Sequence, residues 1–199
     1  MRFNVREHTY HEGVDSMVTN GFNTLVSASA GELALARGWY PTANVHAASI
    51  GEIGGHAGQV AELVGAGVLA ALSPGISWER NLLEAYTLAS GDWNRENFTA
   101  YGANLSKAAA IMRTGEVAVH LGGPKTNAFA GAIFDPHGDN TAVVDRHIWS
   151  AFGVVHGQAN AHVYEAADDA VEQLADMIGE EKHVTQALVW LIQRRKVRR

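Results

Sequence analysis

Three segments of the chain carry residue types that could do chemistry, and they follow one another in sequence. The first is the turn at 72–77, which leads into Trp78. The second is the glycine turn at 122–124, with Lys125 directly behind it. The third is Asp145, an acidic residue after an apolar run, twenty residues beyond Lys125. A turn rich in backbone amides, an amine and a carboxylate are groups that bind anions or stabilise cations.

The glycine turn has two interpretations from its own residues. Gly122 and Gly123 allow the backbone to approach a ligand closely, and amide N–H groups at a helix start attract anions. Lys125 would add positive charge there, or an amine nucleophile if its pKa is lowered. The same string is also typical of a plain corner between two helices with a solvated lysine. Both interpretations stay open at this point.

Asp145 also has two interpretations. Aspartate is a favoured N-cap, and a short apolar segment that could form a helix follows it. A carboxylate beside an apolar wall is instead a candidate acid, base or cation stabiliser. The local residues favour neither.

The spacing of apolar residues predicts helices throughout and no sustained strand, so the predicted fold class is all-α. Gly38 is predicted to end one helix and Pro41 to begin the next, and Leu83 is predicted to face inward. The predicted helices cover residues 23–37, 41–50, part of 54–76, 78–89, 104–113, 125–134, 144–152, 164–178 and 183–194.

Taken together, the segments resemble the helix-hairpin-helix DNA glycosylases, the superfamily that includes endonuclease III and the adenine glycosylases. The family motifs match Leu72-Ser73, residues 101–108, residues 121–128 and residues 144–148, in that order. The resemblance covers roughly residues 70 to 155. It implies a single globular protein with two helical lobes and a cleft between them. Residues 70–155 would form the core lobe, and residues 1–69 and 156–199 the other.

The resemblance also implies roles for individual residues. Lys125 lies where bifunctional members keep a Schiff-base lysine, and Asp145 lies on the aspartate that stabilises positive charge on the sugar. Gly75 takes the place of a glutamine that many members carry. The expected contacts to DNA are Ser73, Gly75, Gly122, Gly123, Thr126 and Arg146. The expected base pocket is formed by Trp78, His147 and Trp149. No cofactor and no metal are implied.

The implied function is cleavage of the N-glycosidic bond of a damaged or modified base in DNA, after the base has left the stack. The segments 39–41 and 186–190 are similar to a divergent phage branch, the α-glutamyl/putrescinyl thymidine pyrophosphorylases. That similarity makes processing of hypermodified thymidines an alternative. An enzyme of free modified nucleotides and an inactive DNA-binding module are further alternatives.

Charge and composition limit the classes of function. Fifteen basic and 21 acidic residues give a net charge of −6, which argues against a surface that grips nucleic acid everywhere. The tail at 194–199 holds five of the basic residues. Arg194 and Arg195 are therefore candidate phosphate contacts, although a basic helix end also suits the macrodipole. The chain has no cysteine, which excludes disulfides, thiolate metal sites and a cysteine nucleophile.

The remaining expectations concern location and assembly. The first eight residues lack the apolar stretch of a signal peptide, and no uncharged apolar run is long enough to span a bilayer. Ten histidines are present, but no His-Glu-x-x-His string occurs, so no catalytic metal is expected. We expect a soluble, cytoplasmic monomer.

Overall fold

The computed structural model describes residues 5–138, 141–155 and 160–197, and within these residues the chain is helical with no strand. The predicted all-α class is confirmed. The helices are α1 (Val5–Leu25), α2 (Ala30–Ile53), α3 (Gly58–Leu72), α4 (Trp78–Ala89), α5 (Gly102–Thr114), α6 (Val117–His120), α7 (Pro124–Phe134), α8 (Arg146–Ala151), α9 (Ala161–Ile178) and α10 (Lys182–Val197). A short 3₁₀ helix covers Arg95–Asn97. None of the helices in the described part of the chain has the length and apolar character needed to cross a membrane.

The predicted single helix over 23–37 is wrong, because a short non-helical segment at residues 26–29 separates α1 from α2. Ser29 and Glu32 start α2 with a reciprocal pair of hydrogen bonds. The Ser29 hydroxyl oxygen accepts from the Glu32 amide at 3.2 Å, and the Glu32 carboxylate accepts from the Ser29 amide at 2.9 Å. This capping box satisfies two amides that would otherwise lack a partner, so it favours a new helix start here.

The predicted start of a helix at Pro41 is also wrong, since Pro41 lies inside α2. A proline in a helix interior removes one backbone hydrogen bond and strains the preceding turn. Burial on both sides offsets that cost, because Ala36, Tyr40 and Ala43 are all 2% exposed or less. Tertiary packing therefore carries the helix through a residue that usually marks a boundary.

The chain forms two compact units. The terminal unit comprises residues 1–39 and 141–199, and the central unit comprises residues 40–140. The central unit begins earlier than residue 70 because α3 packs against α5 and α7. It ends before residue 155 because α8 packs against α10, which belongs to the terminal unit.

In the terminal unit, α1 lies along α9, and α10 packs on both α8 and α9. Gly21 of α1 faces Leu174 and Phe152 so closely that an added Cβ would overlap both side chains. The Asn20 amide donates a hydrogen bond to the Phe152 carbonyl at 3.0 Å. Residues from the two ends of the sequence therefore share one core.

In the central unit, α3 is the most buried helix and contacts α4, α5, α6 and α7. Gly51 and Gly65 let α2 and α3 meet backbone to backbone, because a Cβ at either position would overlap a carbonyl oxygen of Ala61 or Ala47. The Asn44 amide donates to the carbonyls of Ile133 and Phe134, each at 3.0 Å, and so caps the end of α7.

The buried face of α4 differs from the predicted buried face. Leu83 is 56% exposed, whereas Glu84 is fully buried. The Glu84 carboxylate accepts from the Arg80 guanidinium, the Thr99 amide and the Thr99 hydroxyl, each at 2.6 Å, and from the Ala100 amide at 3.1 Å. Burial tends to raise the pKa of the Glu84 carboxyl, but these hydrogen bonds outweigh it and hold that pKa below its usual value.

We predict that Glu84→Gln destabilises the protein by about 3 kcal/mol, because a neutral amide would leave buried donors without an acceptor. The folded-state pKa of Glu84 lies below its unfolded value, so its stabilisation is complete above the unfolded pKa and is lost as pH falls through the folded one. Urea unfolding at several pH values should show this loss in the parent protein and less of it in Glu84→Gln. Glu96→Gln, at an exposed position in the same region, is the matched control. Equal unfolding midpoints for the two variants would contradict the assignment.

Candidate functional site

Asp145 lies where an extended segment enters α8. One oxygen of its carboxylate, Oδ1, accepts from the His147 amide at 2.8 Å and from the Ile148 amide at 3.1 Å. The N-cap interpretation is therefore confirmed. The cap fixes one edge of the carboxylate relative to the helix.

The other carboxylate oxygen is held from α10. The indole Nε1–H of Trp190 donates to Asp145 Oδ2 at 3.1 Å. Three N–H donors thus bind a half-buried carboxylate that has about four lone-pair positions. The carboxylate is held in one orientation and retains capacity for one more partner.

Two further aromatic rings and a guanidinium pack around Trp190, the residue whose indole binds this carboxylate. The Trp190 ring meets Trp39 and His147 edge-on, at centroid distances of 5.8 and 6.3 Å. The Arg194 guanidinium lies 4.4 Å from the Trp190 ring centroid, in cation–π geometry. All four side chains are half-buried. Sequence reasoning marked His147 and Arg194 as site residues, but it noted Trp190 only as part of the segment 186–190. The bond of Trp190 to Asp145 spans 45 residues and leaves no local signal.

Trp149 has a different environment from the other base-pocket candidates. Its side chain is 8% exposed, and its ring packs edge-on against Tyr164 at 6.0 Å. The structure therefore places Trp149 in the core of the terminal unit and not at an open surface.

The glycine turn joins α6 to α7 in the central unit. Gly123 has a φ of +90°, which favours glycine, and Pro124 is the first residue of α7. The Thr126 hydroxyl donates to the Gly122 and Gly123 carbonyls and so braces the turn. That hydroxyl proton is therefore already engaged within the hairpin.

Lys125 lies at this turn, next to backbone N–H groups that donate no hydrogen bond within the described residues. Within the described ranges, its ammonium group has no ion-pair partner, and the amides of Gly123, Lys125 and Thr126 have no acceptor. A positive charge beside amides at a helix start can bind an anion such as a phosphate. Lys125 belongs to the central unit and Asp145 to the terminal unit.

The turn before α4 holds three further candidates. The Ser73 hydroxyl donates to a carbonyl of α3, one turn earlier, at 3.0 Å. Gly75 has a φ of +86°, and the ring of the exposed Tyr101 fills the space where a side chain at position 75 would lie. Trp78 packs on Phe129 of α7 at a centroid distance of 6.4 Å. Trp78 is thus tied to the helix that carries Lys125.

The basic residues proposed as phosphate contacts differ in whether their guanidinium groups are free to bind a phosphate. Arg146 is exposed at the start of α8. Arg195 pairs with Glu32 at 2.9 Å and also donates to the Ser27 carbonyl at 3.2 Å, so its guanidinium is occupied within the terminal unit. A phosphate would have to compete with Glu32 for it. The last two residues of the basic tail lie outside the described residues.

Comparison with known proteins gives a family and no closer relative. No curated protein and no solved structure matches the chain. A family model described as a family of unknown function, DUF7178, matches residues 5–197. Since that match covers nearly the whole sequence, the chain belongs to the DUF7178 family.

Proposed function

We propose that this protein is a DNA glycosylase-like enzyme that cleaves the N-glycosidic bond of a damaged or modified base. The observation that carries the proposal is the Asp145 carboxylate, held by three N–H donors in half-buried, aromatic surroundings. A carboxylate fixed in this way is ready to stabilise positive charge without reorganising.

The chemistry needs such a group. As the glycosidic bond breaks, the base leaves with the bonding electrons and positive charge develops on the sugar. A carboxylate about 4 Å from that charge contributes about 4 kcal/mol at an effective dielectric constant near 20. Water then adds to C1′, and the proton that it releases is balanced by the proton that the departing base takes up, which leaves an abasic sugar and the neutral free base.

The rings near Asp145 support a nucleobase as the leaving group. The Trp190 indole binds the carboxylate through its N–H, and the rings of Trp39 and His147 pack against it. A base that has been turned out of the stack is held by stacking on such rings. The Arg194 guanidinium over Trp190 adds a donor that suits the carbonyl groups of a pyrimidine or modified base.

The glycine turn at 122–124 supports DNA as the substrate. The free amides at the start of α7 and the Lys125 ammonium group are suited to one backbone phosphate. Contacts of this kind position DNA and carry no sequence information. In a bifunctional enzyme, the deprotonated Lys125 amine would instead attack C1′ and form a Schiff base.

A second candidate substrate is a free modified nucleotide. The net charge of −6 and the Arg195–Glu32 pair favour it, because both reduce the attraction of the protein for a long polyanion. The chemistry at Asp145 would be the same. A hypermodified thymidine could be processed either within DNA or as a free nucleotide.

We predict that Asp145→Asn lowers the rate of base release by a factor on the order of 10² to 10⁴. Asparagine can still accept from the His147 and Ile148 amides, so the N-cap and the fold should persist. Base release is measured by mass spectrometry on duplex, single-stranded and nucleotide substrates that carry lesions or hypermodified bases. Thermal unfolding of the same variant is the control.

Two results would count against this account of Asp145. A folded Asp145→Asn variant that keeps full activity would remove the carboxylate from the chemistry. A parent protein that binds DNA but releases no base from any of these substrates would favour the inactive DNA-binding module.

For Lys125, we predict a borohydride-trappable adduct with substrate DNA if the amine is the nucleophile, and its loss in Lys125→Ala. If Lys125 is a phosphate contact only, the variant should release base without an adduct. The slope of log affinity against log salt should then fall by about 0.9. Lys107→Ala, on α5 of the same unit, is the matched control. A Lys125→Ala variant unchanged in adduct, affinity and salt slope would contradict both roles.

A further inference from the structure

The segment that leads to Asp145 is held by side chains of α9. Residues 141–144 run without regular secondary structure before α8. The Tyr164 hydroxyl donates to the Ala142 carbonyl at 2.8 Å and accepts from the Val144 amide at 3.1 Å. One phenol group thus bridges two backbone groups of this segment, as a neighbouring strand would.

Asp168, one turn further along α9, completes the support. Its Oδ1 atom accepts from the Ala142 amide at 2.6 Å, so both backbone groups of Ala142 are bound to α9. The Lys182 ammonium group lies 3.0 Å from the same oxygen and 3.1 Å from a carboxylate oxygen of Glu172. Lys182 therefore balances the charge of Asp168 and restrains its side chain.

Burial makes these bonds necessary. Ala142, Val143 and Val144 are all buried, and a buried backbone group without a partner costs about as much as a lost hydrogen bond. Tyr164 is 7% exposed, and its burial raises the pKa of the phenol to about 12. The hydroxyl therefore keeps its proton at any physiological pH and remains a donor to Ala142.

We propose that Tyr164 and Asp168 are positioning residues for the Asp145 carboxylate. Their bonds fix the peptide groups within three residues of Asp145, and these peptides set the direction in which its side chain leaves the backbone. The proposal depends on the proposed function for its consequence in catalysis, but its geometric part can be tested without any substrate.

The reporter is the indole N–H of Trp190, which donates to Asp145 Oδ2. The protein has five tryptophans, and Trp190→Phe identifies this proton among the five indole signals in an NMR spectrum. In Tyr164→Phe, we expect the Trp190 signal to move upfield. The rate at which the Trp190 indole proton exchanges with water should rise about tenfold, the order of change expected when its hydrogen bond to Asp145 is lost.

Tyr10→Phe is the matched control. The Tyr10 hydroxyl also bonds to α9, through Asp169 at 2.8 Å, but it makes no described bond to residues 141–144. Its removal should leave the Trp190 signal unchanged. A Tyr164→Phe protein that is folded and has an unchanged Trp190 signal would overturn the proposal.

A second pair of variants decides the question if Tyr164→Phe does not fold. Asp168→Ala removes the acceptor for the Ala142 amide, whereas Asp168→Asn keeps an oxygen that can accept it. We expect the Trp190 signal to shift in the alanine variant and to be largely restored in the asparagine variant. Identical parent-like signals in both variants would overturn the role of Asp168.

Catalysis provides a separate readout. With a substrate found for the proposed function, Tyr164→Phe should lower kcat by a factor on the order of 10² with little change in KM, because a displaced catalytic group costs rate more than binding. If the parent protein releases no base, the proposed function fails while the NMR result still decides whether these residues position Asp145.

Discussion

The hydrogen bonds to the Asp145 carboxylate are the constraint on which the rest of the terminal unit depends. Taking a carboxylate partly out of water is costly unless protein donors replace the water. Two of those donors are backbone amides in the first turn of α8, and the third is an indole N–H from α10. The carboxylate therefore links the start of one helix to the side of another.

This arrangement explains why the two ends of the chain must fold together. Trp190 can reach Asp145 only if α10 packs on α8, and α1 and α9 complete the core beneath them. Gly21 permits the close approach of α1 to Leu174 and Phe152. The Glu32–Arg195 pair adds a link between α2 and α10, near the start of α2. The geometry around Asp145 is thus a property of the assembled unit and not of one motif.

The sequence predicts local features well. The helix over 78–89 has the predicted bounds, and α7 begins one residue before the predicted start. The N-cap role of Asp145 is one of the two interpretations that its residue type and the apolar segment behind it allow. Each of these depends on a few neighbouring residues. The all-α class follows from the same local periodicity.

Features that depend on distant partners could not be predicted. Glu84 is buried because Thr99 and Ala100 supply donors from a loop fifteen residues away, whereas its neighbour Leu83 is left exposed. Pro41 remains inside α2 because residues on both sides of it are buried. The Trp190 and Tyr164 contacts join segments 20 to 45 residues apart. The spacing of apolar residues carries no information about such polar pairs.

The most direct test of a charge-stabilising Asp145 is the affinity for two DNA duplexes that differ only in one abasic-site analogue. One carries a protonated pyrrolidine ring, which mimics the cationic sugar, and the other a neutral tetrahydrofuran ring. The account predicts that the parent protein binds the charged analogue at least about tenfold more tightly, since binding should follow the transition state. Asp145→Asn should abolish that preference. Equal affinity of the parent protein for both duplexes, or an undiminished preference in Asp145→Asn, would contradict the account.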